Sequence, residues 1–135
     1  MDLFDVVRDR RSVRSFLKDP VPAEHLQRIL EAANQAPSAG DLQAYDVYQV
    51  EDAALKEALA VASYDQGFIE EAPIVLVFVS SPFRARRYGE RGATLYAIQD
   101  ATIAAAYAQL AAVAIGLASC WVGAFDEANV ASLLH

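Results

Sequence analysis

The sequence contains a single cysteine, Cys120, and only two histidines, His25 and His135. One thiol forms no intrachain disulfide, which fits a reducing compartment and makes the cytoplasm the expected location. With so few His and Cys side chains, a His-based metal site and a His-dependent catalytic triad are excluded, and no metal is expected. Positive charge is scarce as well: 11 Lys and Arg against 18 Asp and Glu leave a net charge of −7. That balance excludes a general nucleic-acid binder, which needs clustered cations to face phosphates. The amino terminus, Met1-Asp2-Leu3-Phe4-Asp5, lacks the basic-then-apolar layout of a signal peptide. No repeat, low-complexity tract or linker rich in Gly, Ser and Pro divides the chain, so one domain over 1–135 is expected.

What is abundant is apolar surface, 55% of the residues, ample for a packed core. It concentrates in one stretch, 93–118, where no charged residue falls between Ala101 and Ala118. Alanine and leucine favour helix, and apolar residues lie on every face of the wheel. Such a helix is buried in protein or in lipid. Alanine is a poor lipid-facing residue and no basic cluster flanks the run, so a buried helix is expected and no membrane. A chain this short hardly covers such a helix on all sides. Ala104, Ala105, Ala108, Ala111 and Ala112 would let a second helix approach closely, which suggests a dimer. Gly116 reads as the helix stop, and Ser119 to Gly123 as a buried strand.

The few arginines are themselves clustered. Arg8, Arg10, Arg11 and Arg14 form one group, and Arg84, Arg86, Arg87 and Arg91 the other. In an acidic chain, local clusters suit a discrete anion or ion pairs. The segment Arg10-Arg11-Ser12-Val13-Arg14-Ser15-Phe16 can wrap one anion with guanidinium forks and hydroxyls. From charge alone, a solvated face paired with Asp5, Asp9 and Asp19 is the favoured reading. The second cluster lies in a polar stretch, 81–91, that reads as an exposed, mobile loop.

The remaining elements follow from local pattern. A short helix holds Leu3 to Val7. Asp19-Pro20-Val21-Pro22 starts a second helix, whose stripe is Leu26, Ile29, Leu30 and Ala33 and which leaves His25 exposed. It ends before the loop Pro37-Ser38-Ala39-Gly40-Asp41-Leu42-Gln43. That loop pairs small residues, which admit a flat ligand, with polar Asp41 and Gln43; taken alone, an ordinary turn between helix and strand is the favoured reading. Tyr45 to Val50 alternates as a strand, 52–62 is helical, and Ile74 to Val79 is apolar throughout, as in a fully buried strand. Asp126 caps a last helix. Cys120 and Trp121 read as packing residues rather than as a nucleophile and its neighbour.

Three segments in this order, Arg10 to Phe16, Pro37 to Gln43 and Gly116 to Phe125, resemble the nitroreductase family of FMN-dependent oxidoreductases over essentially the whole chain. The resemblance implies a three-layer α+β (α-β-α) fold with a mainly antiparallel central sheet around a long buried helix. It implies a homodimer with FMN between the subunits, and NADH or NADPH as electron donor. By the same resemblance Arg10, Arg11 and Ser12 would hold the FMN phosphate and ribityl chain, and Arg14 the pyrimidine edge. Pro37, Ser38 and Ala39 would pack on the ring from the partner subunit, and Asp41 and Gln43 would meet its polar edge. The Val122 and Gly123 backbone would reach N5, with Cys120 and Trp121 alongside. The implied activity is ping-pong electron transfer from NAD(P)H to a nitroaromatic, quinone or similar small-molecule acceptor; the alternative is a flavin-binding or degenerate member without efficient turnover. The flavin carries the redox chemistry, so no acid–base pair is needed. Two features depart from the family: Asp41 stands where Asn is usual, and the usual C-terminal strand and arm are missing, as in a truncated or short version of the fold.

Overall fold

In the computed structural model, which describes all residues 1–135, twelve short and long elements follow the chain. Helix α1 (Leu3–Asp9) is capped by Asp2, whose carboxylate accepts from the Asp5 N–H at 2.9 Å. Helix α2 (Ala23–Asn34) follows Pro22, β1 spans Tyr45–Val50, α3 Ala53–Ala62, α4 Phe68–Glu71 and β2 Val75–Ser80. A 3-10 turn at Arg86–Tyr88, a single turn α5 (Gly89–Arg91) and a π-helical turn Gly92–Tyr96 lead into α6 (Ala97–Ala114). Helix α7 (Glu127–Leu134) starts at Asp126, which accepts from the Asn129 N–H at 2.9 Å.

The two strands form one antiparallel sheet, and the chain divides into two compact units. The first holds residues 1–10, 22–47 and 78–117. Its centre is α6, against which α2 and α1 pack. The buried stripe of α6 is Ala97, Asp100, Ala101, Ala104, Ala108 and Ala112, at helical spacing, and the buried residues of α2, which packs against α6, are Ile29 and Ala33. The alanines expected to receive a second copy are thus partly used within the chain. The face left open carries Ile98, Thr102, Ala106 and Tyr107.

The end of α6 is set by Gly116. Its φ of 85° is left-handed, the Leu117 N–H reaches back to the Ala112 carbonyl at 2.8 Å, and the Gly116 N–H bonds the Val113 carbonyl at 3.0 Å. This is the paired closure that glycine makes cheap. Beyond it, Ser119 to Gly123 is not a strand. A strand needs a hydrogen-bonding neighbour, and only Ser119 has a ladder contact, an isolated parallel bridge to Ser12.

The second unit comprises residues 11–21, 48–77 and 118–135. Val50, Leu59, Ala60 and Ile69 are its buried centre, with Leu55, Phe68, Val75, Val122, Val130 and Leu133 against them. Helix α3 is capped by Asp52, and the Asp126 N–H donates to the Ala62 carbonyl at 2.8 Å, tying α7 to the end of α3. Strand β2 was expected to be fully buried; its residues are half-buried, and Val79 is 36% exposed. No helix is long and apolar enough to cross a membrane, and no group of metal-ligating side chains comes together.

Candidate functional site

The loop after α2 is built around backbone conformations that most residues avoid. Gly40, Asp41 and Gln43 have φ of 62°, 57° and 40°. Left-handed residues in series carry a cost of order 1 kcal/mol each outside glycine, so other contacts must hold the loop. Three do. Ser38 Oγ accepts from the Gln43 N–H at 3.1 Å, and Ser38 O from the Asp41 N–H at 3.1 Å. Asp100 on α6, only 3% exposed, accepts from the Ala39 N–H and the Ala44 N–H, each at 3.1 Å. Asp41 and Gln43 are engaged with each other: Gln43 Nε2 donates to Asp41 Oδ1 at 2.7 Å.

Asp100 was not foreseen as a site residue. Its signal was available: it is the one carboxylate at the edge of a long uncharged helical run, and a carboxylate in such a helix needs donors. Tyr88 was also missed. Its hydroxyl lies against Gly40 so closely that a Cβ there would collide with it. The segment before α6 is exposed as expected, with only Ala85 buried, but it is folded into helical turns rather than an open loop, and Tyr88 packs against Gly40.

The arginine clusters have opposite fates. In the second, Arg84 bonds the Tyr45 carbonyl and forms an ion pair with Asp46 at 2.5 Å. Arg86, Arg87 and Arg91 lie over the rings of Phe83, Tyr88 and Tyr96. In the first, Arg8 pairs with Asp5 and Asp9, both at 2.8 Å. Arg10, Arg11 and Arg14 form no ion pair or side-chain hydrogen bond. Asp5 and Asp9 pair with Arg8, outside the Arg10-to-Phe16 segment, and the pairing of that segment's arginines with Asp5, Asp9 and Asp19 is not found.

Within the second unit, Arg11, Ser12 and Arg14 run beside the chain after α6. Ser12 bridges to Ser119 and the Val13 N–H donates to the Ser119 carbonyl at 3.0 Å. This register brings the backbone of residues 12–13 beside Ser119, and the stretch that follows, Cys120 to Gly123, is not committed to a ladder. Trp121 is 45% exposed, so it does not pack in a core as its apolar setting suggested. Cys120 is partly buried and its thiol faces the Trp121 carbonyl at 3.5 Å. Arg10 falls in the first unit, as do Pro37, Ser38 and Ala39. His25 is half-buried rather than exposed, with Nδ1 lacking a partner.

The left-handed loop belongs to the first unit, and Arg11, Arg14 and the stretch after α6 to the second. The comparisons place the chain in a family. The family model described as "Nitroreductase family" matches residues 7–67 and 61–135, and the chain belongs to the nitroreductase family. A protein named NADH dehydrogenase from Thermus thermophilus is 53% identical over 68 residues, covering 50% of this chain and 33% of that protein. The FMN reductase [NAD(P)H] of Bacillus subtilis is 32% identical over 128 residues, covering 86% of this chain and 51% of that protein. Among solved structures, a hypothetical oxidoreductase from Bacillus subtilis superposes with a TM-score of 0.90 at 30% identity, over 99% of this chain and 60% of its own. The chain thus spans a third to a half of these two curated relatives.

Proposed function

We propose that this chain is an FMN-dependent oxidoreductase that passes electrons from NADH or NADPH, by a ping-pong mechanism, to a nitroaromatic, quinone or related acceptor, and that it works as a homodimer. The observation that carries the reading is the contrast between the two arginine clusters. In the second, Arg84 is tied to carbonyls and a carboxylate and Arg86, Arg87 and Arg91 lie against aromatic rings, whereas the side chains of Arg10, Arg11 and Arg14 meet neither a carboxylate nor a ring. Unneutralised arginines beside Ser12 suit the phosphate and ribityl chain of FMN, because guanidinium forks match phosphate oxygens in pairs. FMN, when bound, supplies the hydride and electron transfer.

The residues present fit that group. Arg14 would place positive charge near the pyrimidine edge and favour the anionic reduced ring. The uncommitted N–H groups of Val122 and Gly123 would meet the ring's edge, with the half-exposed Trp121 shielding it from water. Pro37, Ser38 and Ala39 would come from the partner subunit as a flat wall of small residues, with the Ala39 N–H held by Asp100. The open face of α6, with Ile98 and Tyr107, supports a second copy as its cover, since large apolar groups in a patch mark an interface.

The test is the near-ultraviolet and visible spectrum of the purified chain, before and after FMN and then anaerobic NADPH. Flavin bands that bleach are expected. Absence of flavin binding would overturn the reading, and bands that neither NADH nor NADPH bleaches would reduce it to flavin binding without turnover. Sedimentation at micromolar concentration tests the dimer; a monomer alone would reject it.

A further inference from the structure

Arg86, Arg87 and Arg91 lie within one short stretch, and none meets a carboxylate. Arg86 lies 4.0 Å over the Phe83 ring and gives one Nη1 hydrogen bond to the Phe83 carbonyl at 3.0 Å. Arg87 lies 5.5 Å over Tyr88. Arg91 lies 5.4 Å over Tyr96 and donates Nε to its hydroxyl at 2.9 Å. A ring contact orients a guanidinium group but satisfies few of its five N–H donors. Each group therefore keeps its charge and most of its donors for something else. In a chain of net charge −7, such a patch is not a product of composition.

The patch is also preorganised. Ala85 is buried with Ala44 and Ala97. Tyr88 meets Tyr96 edge-on at 5.3 Å and rests on Gly40. Gly92 is buried, and a Cβ there would strike the Ala85 carbonyl. Gly89, with φ 60° and ψ −139°, takes a conformation open to glycine alone. The arginines thus project from a fixed segment that is packed against the loop of residues 37–43. Phe83, 71% exposed, adds an aromatic surface with a guanidinium on one face.

We propose that Arg86, Arg87 and Arg91, with Phe83, form a subsite for an adenosine 2′-phosphate, and so select NADPH over NADH as the electron donor. Two forces point to that class of ligand. A phosphate monoester dianion takes bidentate hydrogen bonds from guanidinium groups, and an arginine is the usual accommodation for a ribose 2′-phosphate. An exposed aromatic ring with a guanidinium beside it gives a purine a surface to stack on. The inference rests on the reading of the chain as an NAD(P)H-dependent enzyme.

The experiment is calorimetric titration of the chain with adenosine 2′,5′-bisphosphate, with adenosine 5′-monophosphate and with inorganic phosphate. The bisphosphate is expected to bind at least about tenfold tighter than the other two, from the charge-assisted bonds to its 2′-phosphate. R87A and R91A are each expected to weaken the bisphosphate by about tenfold and to leave the monophosphate unchanged. Equal affinity of the wild-type chain for bisphosphate and monophosphate overturns the subsite, without recourse to any variant. So does inorganic phosphate binding as tightly as the bisphosphate, or a bisphosphate affinity unmoved in both variants. A chain that binds no FMN but separates the two nucleotides would overturn the flavin reading and keep the subsite. A yellow chain that does not separate them would do the reverse.

Discussion

Asp100 and Ala44 are 56 residues apart in the chain, and the Asp100 carboxylate accepts the Ala44 N–H at 3.1 Å in a buried setting. The other oxygen accepts the Ala39 N–H. One side chain on α6 therefore pins both ends of the loop that carries Asp41 and Gln43. Replacing it by alanine leaves two buried amides unsatisfied, and each such group costs about 1–3 kcal/mol. D100A is expected to lower the urea midpoint by more than any surface change. D100N, whose amide has one acceptor oxygen, is expected to fall between D100A and wild type. A midpoint unchanged in D100A would mean that the loop is held by Ser38 alone.

Gly40 tests the same loop from the other side. Alanine there meets both a left-handed φ of 62° and the Tyr88 hydroxyl. The backbone penalty is about 1 kcal/mol, and the collision adds to it. G40A is expected to destabilise clearly, and Y88F, which removes the offending oxygen, to recover only the collision part. A double-mutant cycle measures that coupling. Strict additivity of G40A and Y88F would show that the two residues do not touch.

The arginine clusters predict opposite phenotypes. R11A and R14A remove side chains with no internal partner, so stability is expected to move by no more than about 0.5 kcal/mol. FMN affinity is expected to fall at least about tenfold, since a charged hydrogen bond to phosphate is worth about 1.5–3 kcal/mol. R84A, which breaks the clip to Tyr45 and Asp46, is expected to unfold earlier. Thermal melts and flavin titrations on the same three variants decide it.

Asp41 accepts from Gln43 through one oxygen, and the amide of D41N can keep that bond while losing the charge. If the proposed flavin site is right, removing this negative charge is expected to raise the midpoint potential of the flavin. A change of about 1 kcal/mol corresponds to roughly 20 mV for a two-electron couple. A spectroelectrochemical titration giving an unchanged or lower value would reject an electrostatic role for Asp41.

Tyr45 donates its hydroxyl to the Ala33 carbonyl at 3.2 Å, and burial, followed by the charge of Asp100, raises its pKa above the ordinary tyrosine value. The folded state therefore holds this proton more tightly than the unfolded chain. Its contribution to stability is complete below the unfolded value of about 10 and declines as pH rises beyond it. Alkaline unfolding curves are expected to be steeper for wild type than for Y45F. Parallel curves above pH about 10 would show that Tyr45 does not report on folding.

Much was legible because it is local. Asp52 and Asp126 announce helix starts, since a carboxylate one residue before a helix caps its free N–H groups. Gly116 announces the end of α6, since only glycine takes that conformation without strain. The order of the arginine segment, the loop of residues 37–43 and the stretch after α6 carried the family. Tertiary structure decided the rest, because it depends on which distant partners meet. Whether Ser119 to Gly123 forms a ladder depends on a neighbour, and it finds only Ser12. Whether an arginine is free depends on carboxylates and rings elsewhere in space, and this separates Arg11 and Arg14 from Arg84 though composition treats them alike. Asp100 is one acidic residue in an apolar helix by sequence; in the fold it becomes the anchor of a strained loop, because a buried charge persists only where donors are brought to it.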